Sequence, residues 1–315
     1  MRSLVTACAS LWAMILLEIP QVRCEMKEAE LNMAPWSFDD QYSGCEDRMA
    51  EKILSTGLLE TELNKDSKFK EAWQKAEKMW GERKRNGTIP ALPPGFTDEH
   101  GIAILVYTGA FYYWLNEAVR WVGITLQDYM ERFPYKVQHY YLTRALQLLE
   151  KNCFEGCQTV YRGTKNIHFT PSMGIGSTVR FGQFTSTSLK KDVALFFGND
   201  TFFTIKTCLG ACIASMAALT TEKEVLIPPY EIFNVTDYNK DEHTFVLTST
   251  KTRCSNYNCT YLGGGKPNAC GHAAPRAVLA SPIVMTSHLL SGVTLLDPHC
   301  CNEASPLVFI QSILF

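Results

Sequence analysis

Gln158-Thr159-Val160-Tyr161 runs into Arg162-Gly163 at the point where the chain changes texture. Beyond it, short runs rich in Val, Ile, Phe and Thr at 177–181, 201–207, 224–227, 231–235 and 244–248 are separated by Gly, Pro, Asn and Asp, the signature of strands. Before it, residues 45–150 read as helical. Phe69, Trp73, Ala76 and Trp80 recur at spacings of four, three and four, which sets one apolar stripe along a helix closed by Gly87 and Pro90. A second helix is expected over 110–122. A third is expected over 135–149, where Tyr141, Ala145 and Leu148 share a face. Helices first and strands second predict a single α+β domain, its helical N-terminal part packed on a mixed or antiparallel β-sheet core. The aromatic stripes read as core.

The chain has 315 residues, a formal net charge of -2, 46% hydrophobic and 20% charged residues. Such a composition can bury a core and excludes disordered and fibrous classes. With 30 Lys+Arg against 32 Asp+Glu and no run of five basic residues, no field is present that would attract nucleic acid. Twelve Cys is high for an intracellular enzyme and points to an oxidising compartment.

The ends agree with that compartment. Arg2 supplies a positive start, 4–17 is apolar and uncharged, and Val22-Arg23-Cys24 marks the expected cleavage site, so 1–24 reads as a signal peptide. Sequons at Asn86, Asn199, Asn234 and Asn258 fit a secreted glycoprotein. Residues 277–296 lack Asp, Glu, Lys and Arg and follow a stretch with small residues at Gly271, Ala273 and Ala274, which resembles a GPI-attachment signal. Asp297, His299 and Glu303 interrupt that pattern before a last apolar piece at 306–315. The reading is therefore a signal peptide at 1–24, one folded domain at 25–275 and an apolar tail at 276–315. The product is extracellular, with secreted and GPI-anchored forms both open.

Several chemistries are set aside. Gly174-Ile175-Gly176 lacks the third glycine of a dinucleotide fingerprint and precedes a strand where a helix is needed. Gly265-Lys266 is followed by Pro267 and makes no Walker loop. There is no H-E-x-x-H or G-x-S-x-G, and the seven His are scattered, so no metal site is expected. Cys153, Cys157, Cys208 and Cys212 have thiolate-like spacing, but in an oxidising compartment disulfides are the expected state.

Three segments carry reactive groups in order: Arg162 at a strand end, Phe184-Thr185-Ser186-Thr187-Ser188 on another strand, and Glu222-Lys223-Glu224-Val225 entering a third. This set resembles the R-S-E triad of the ADP-ribosyltransferases, specifically the vertebrate extracellular arginine-specific mono-ADP-ribosyltransferase family. Phe38-Asp39-Asp40-Gln41-Tyr42 with Cys45, Tyr107-Thr108-Gly109, Arg180-Phe181-Gly182-Gln183-Phe184, Ile205-Lys206-Thr207-Cys208-Leu209-Gly210 and Glu224-Val225-Leu226-Ile227-Pro228 resemble that family's landmarks, in its order, across 33–262.

The resemblance implies an ADP-ribosyltransferase fold and an enzyme that moves ADP-ribose from NAD, or NADP, to arginine side chains of acceptor proteins or to free arginine-like small molecules, releasing nicotinamide without a metal. Cleaving the bond to a cationic leaving group builds oxocarbenium-like charge on the ribose, and a carboxylate beside that carbon stabilises it more than the ground state. The resemblance gives this role to Glu224, with a hydrogen bond to the nicotinamide-ribose 2'-OH. A guanidinium keeps its proton up to about pH 12 and is a poor nucleophile until a carboxylate withdraws that proton. Glu222 matches the family's second glutamate. On extended backbone, side chains two residues apart project to one side, so Glu222 and Glu224 are expected to share a face. A Gln in place of Glu222 would predict bare NAD hydrolysis.

By the same resemblance Arg162 holds the pyrophosphate or ribose hydroxyls, for which a planar fork suits better than Lys. Ser186 orients Glu224, Thr187 and Ser188 support the strand, and Tyr107 and Gln183 contact NAD. Cys45–Cys259 and Cys157–Cys208 are the implied disulfides, with Cys153–Cys212 and Cys254–Cys270 as further pairs. Residues 217–221 depart from the pattern, having Ala-Ala-Leu-Thr-Thr where relatives carry a Ser and an aromatic residue, which leaves the modified arginine open. An NAD glycohydrolase using water, and a catalytically silent surface protein, are the alternatives; intact Arg162, Ser186 and Glu224 speak against the silent form. A monomer is expected, with no nucleic-acid partner and no membrane contact except through a lipid anchor.

Overall fold

The computed structural model describes residues 26–153, 156–264 and 270, the side chains of 151–153 excepted. The expected signal peptide and the apolar tail lie outside the described residues. From Glu28 onward the described residues belong to one compact unit.

The first half is helical: α1 (Glu46–Thr56), α2 (Leu58–Lys65), α3 (Ser67–Arg85), α4 (Asp98–Val106), α5 (Tyr112–Trp121), α6 (Leu126–Arg132) and α7 (Lys136–Cys153). Helix α3 buries Phe69, Trp73, Ala76 and Trp80 along the predicted stripe. It begins at Asp66, whose carboxylate accepts the main-chain N–H groups of Lys68 and Phe69, a cap that satisfies donors the helix cannot. Arg83, Lys84 and Arg85 fill its last turn, where cations offset the negative end of the helix dipole. The helix expected over 110–122 starts later. Tyr107–Phe111 forms a π turn in which Ala110 takes a φ of 92°, a conformation that interrupts the α-helical ladder.

The second half carries β2 (Gln158–Thr164), β3 (Ile167–Pro171), β4 (Thr178–Val179), β5 (Thr185–Ser188), a short helix α8 (Lys191–Phe196), β6 (Thr201–Thr207), β7 (Ala211–Cys212), β8 (Glu224–Ile227), β9 (Glu231–Asn239) and β10 (Thr244–Arg253). Eight of these strands form one sheet in the order β4-β9-β10-β6-β2-β5-β8-β7, and β1 (Lys27–Leu31) pairs with β3 in a second. The β10–β6 pair is parallel and the others in the large sheet are antiparallel. The sheet is therefore mixed. Alternation along β8 shows how it joins two cores. Leu226 faces the helical side with Phe184, Ala211, Ile213 and Met216, while Val225 and Ile227 join Val160, Phe203, Ile205 and Phe233 on the other face.

The Phe38–Tyr42 motif is a knot between the two ends of the domain. Asp39 and Arg180 form an ion pair at 2.6 Å with both side chains fully buried. Arg180 also donates to the carbonyls of Met33 at 3.0 Å, Ala34 at 3.1 Å and Cys254 at 2.6 Å. Asp40 accepts N–H groups from Tyr42, Cys259 and Thr260 at 2.8, 2.9 and 2.8 Å. The Cys45–Cys259 disulfide, with a sequence separation of 214, closes the same junction; on the chain-entropy model such a loop contributes roughly 4–5 kcal/mol. Disulfides also join Cys157 to Cys208 and Cys254 to Cys270. Cys212 is disulfide-bonded, and the side chain of Cys153, its expected partner, is outside those described. Asn86, Asn199 and Asn234 are exposed or half-exposed, whereas the Asn258 amide is engaged by the main chain of Ser43.

Candidate active site

Strands β2, β5 and β8 lie side by side, so three segments distant in sequence meet at one place. Ser186 pairs with Leu226, Ser188 with Glu224, and Tyr161 with Ser188. The guanidinium of Arg162 donates to the main-chain carbonyl of Ser186 at 2.7 Å, tying the end of β2 to the middle of β5. Gly163 follows because nothing larger fits: a Cβ there would collide with the carbonyl oxygens of Ala194 and Gly198. The α8 turn can therefore close against β2.

Glu224 is only 4% exposed. Burial raises its pKa to about 7; the neighbouring Glu222 adds to the rise, while a hydrogen bond from Ser186 and the charge of Arg162 oppose it. Burial lowers the pKa of Arg162, with nearby Tyr107, Tyr112 and Glu224 acting in the other direction, and an arginine in such a site stays protonated. Burial also raises the pKa of Glu222, which is half-buried. Glu222 and Arg162 thus both lie near enough to act on the charge of Glu224, and a second carboxylate beside a buried one favours a cationic guest.

The expectation that Glu222 and Glu224 project from one extended run is corrected. Glu222 closes a 3-10 turn, Thr220–Glu222, and Lys223 takes a left-handed conformation with φ 51° and ψ 45°. The left-handed residue breaks the extended run between the two glutamates, and the outer one approaches from a turn. Ser188 donates its hydroxyl to the Glu222 carbonyl and Thr187 to the Val225 carbonyl, each at 2.6 Å. Both hydroxyls therefore hold backbone.

Tyr107 is 2% exposed, and its hydroxyl donates to the Phe184 carbonyl at 2.9 Å; burial pushes its pKa up to about 12. Gln183 accepts from Arg120, which also pairs with Glu117. The helix expected over 110–122 supplies these partners, although the sequence reading did not single out its residues for the site. Asn116 on α5 donates to the Phe184 carbonyl at 3.0 Å and to the Tyr107 hydroxyl at 3.3 Å, and burial raises the pKa of the Tyr112 phenol, with Arg162 opposing and Glu222 adding to the rise. Tyr112, Asn116 and Arg120 are spaced by four residues, which puts them on one helix face, and that spacing was the available signal. Among the described residues no group of three or more His, Cys, Asp or Glu is arranged to hold a metal ion.

Residues 31–255 match the family model described as NAD:arginine ADP-ribosyltransferase. The chain is similar to Ecto-ADP-ribosyltransferase 5 of Bos taurus, 46% identical over 76% of this chain and 77% of that protein. It is also similar to GPI-linked NAD(P)(+)--arginine ADP-ribosyltransferase 1 of Mus musculus, 40% identical over 84% of each. Among solved structures, that of a mutant of the eukaryotic mono-ADP-ribosyltransferase ART2.2 in complex with NAD superposes with a TM-score of 0.65 at 43% identity, covering 74% of this chain and 99% of the other.

Proposed function

This chain belongs to the NAD:arginine ADP-ribosyltransferase family, and from that premise we propose how its site residues divide the reaction. The enzyme transfers ADP-ribose from NAD+ to arginine side chains of acceptor proteins and releases nicotinamide. Glu224 is the group that stabilises the developing oxocarbenium: because it is buried, its charge acts in a poorly screened environment and is most favourable when the ribose becomes cationic. The C–N bond to nicotinamide breaks with its electron pair leaving on the nicotinamide nitrogen. A guanidine nitrogen of the acceptor arginine forms the new bond to the ribose carbon, and its proton passes to Glu222 and on to solvent.

Arg162 holds the dinucleotide by the guanidine N–H groups not committed to Ser186. Ser186 orients Glu224, and Gln183, steadied by Arg120, lies on the nucleotide side. Tyr107 acts on that side through the Phe184 carbonyl. NAD is the co-substrate, with NADP an alternative, and free arginine-like molecules such as agmatine serve as small acceptors. The enzyme works outside the cell as a monomer. The expected signal peptide, the apolar tail and the GPI-linked name of the mouse relative support a surface-anchored form.

The observation that carries this reading is the meeting of Arg162, Ser186 and Glu224 across three neighbouring strands. Purified enzyme given NAD and agmatine is expected to form ADP-ribosylagmatine. Nicotinamide release with no adduct, unchanged by added agmatine, would make water the acceptor.

A further inference from the structure

Glu222 lies at the end of a segment, 216–222, that has no strand partner of its own between β7 and β8. Two sets of bonds suspend it. At the far end Ser188 holds the Glu222 carbonyl. At the near end Arg83, from the last turn of α3, donates one guanidine N–H to the Met216 carbonyl and another to the Ala217 carbonyl, both at 2.8 Å. The next residue, Ala218, donates its N–H to the Thr108 hydroxyl at 2.9 Å, and Thr108 is itself tied back to the Ile104 carbonyl at 2.8 Å. Met216 and Ala217 are buried, so carbonyls there need partners that water does not supply. Only Leu219, Thr220 and Thr221 separate these two anchors.

From this geometry we propose that Arg83 is a positioning residue for arginine transfer: by clamping two consecutive carbonyls it sets where Glu222 stands relative to Glu224. The proposal rests on the acceptor role of Glu222. A planar guanidinium can meet two carbonyls at once with parallel N–H groups, which an ammonium on a flexible stem does less well. Glu224 needs no such support, because its strand is paired on both sides by β5 and β7. Loss of the clamp should therefore disturb the acceptor half of the reaction and leave nicotinamide cleavage largely intact.

The test compares Arg83→Met and Arg83→Lys with the unmodified enzyme in two assays, NAD hydrolysis without acceptor and transfer to agmatine, with thermal unfolding as a check on folding. Arg83→Met is expected to lower kcat/KM for agmatine by about tenfold or more, since small misplacements of a reacting group cost that much, while kcat/KM for hydrolysis stays within about twofold. Arg83→Lys should fall between. Thr108→Val, which removes the second tether, should show the same split. In a Glu222→Gln background Arg83→Met should add nothing. Equal loss of both activities in Arg83→Met, or unchanged transfer in Arg83→Met and Thr108→Val alike, overturns the proposal alone. Full transfer by Glu222→Gln would instead overturn the acceptor role, and this inference with it.

Discussion

The hydroxyl of Ser188 donates to the main-chain carbonyl of Glu222 at 2.6 Å, so the strand that carries Ser186 also fixes the turn that carries the outer glutamate. The hydroxyl run on β5 thus has two targets: one side chain acts on Glu224, and the two that follow fasten backbone leading into and along β8.

Ser188→Ala removes that fastener and leaves a carbonyl without its donor. Such a loss costs roughly 1–3 kcal/mol. Urea denaturation should show a destabilisation in that range, and agmatine transfer should fall more than NAD hydrolysis does. A variant as stable as the unmodified enzyme would show that the bond contributes nothing to the fold.

Glu224→Gln should lower transfer and hydrolysis by about two to three orders of magnitude, the size expected when one preorganised electrostatic partner is lost. The same substitution should stabilise the protein at alkaline pH. The folded-state pKa of Glu224, about 7, lies above its ordinary 4.5. Folding therefore favours the protonated carboxyl: this stabilising contribution is full below pH 4.5 and is lost as pH rises through about 7. At pH 8 the neutral Gln avoids a buried charge and gains on the order of 3 kcal/mol as an upper bound. Melting temperatures of the two proteins should converge near pH 4.5 and separate above pH 7. Equal melting temperatures at pH 8 would contradict the burial argument.

The pH profile of NAD hydrolysis should rise through an apparent pKa near 7, because Glu224 must be ionised to stabilise a cationic ribose. Ser186 lowers that pKa by its hydrogen bond. Ser186→Ala should consequently move the rising limb to higher pH as well as lower its plateau. A plateau change with the limb unmoved would mean that Ser186 does not act through Glu224.

The fold was legible where side-chain spacing reports a single buried face. Helix α3 is the clear case, and so is β6, whose bounds coincide with the expected 201–207. Helix α4 gave no such signal, since residues 100–106 are buried all round and leave no stripe. The start of α5 was misplaced because the left-handed Ala110 belongs to a residue type that carries no warning of it. In the site, Arg162, Ser186 and Glu224 were legible as an ordered set, whereas the turn at Lys223 was not: Glu-Lys-Glu reads as extended by alternation, and nothing in a lysine announces a positive φ. The spacing on α5 put Tyr112, Asn116 and Arg120 on one face without saying what that face meets, and the support from Arg83 depends on tertiary approach, which local periodicity does not encode.

Asp39 and Arg180 provide the last prediction. Both are fully buried, and burial raises the Asp39 pKa to about 6 despite the adjacent guanidinium. Removing one member of such a pair strands the other as an uncompensated charge, at a cost of about 3–5 kcal/mol. Asp39→Ala would also free the N–H groups of Asn256 and Tyr257, which now donate to it at 2.6 and 3.2 Å, loosening the segment beside Cys254 and Cys259. Arg180→Met should be similarly destabilising, and it lies three residues before Gln183, so NAD affinity should weaken with stability. In the double variant Asp39→Ala/Arg180→Met neither charge is stranded, and the loss should be well below the sum of the single losses. Urea denaturation of the four proteins, with disulfides intact, measures this coupling directly. Additive losses would mean that the pair acts only through its separate main-chain bonds.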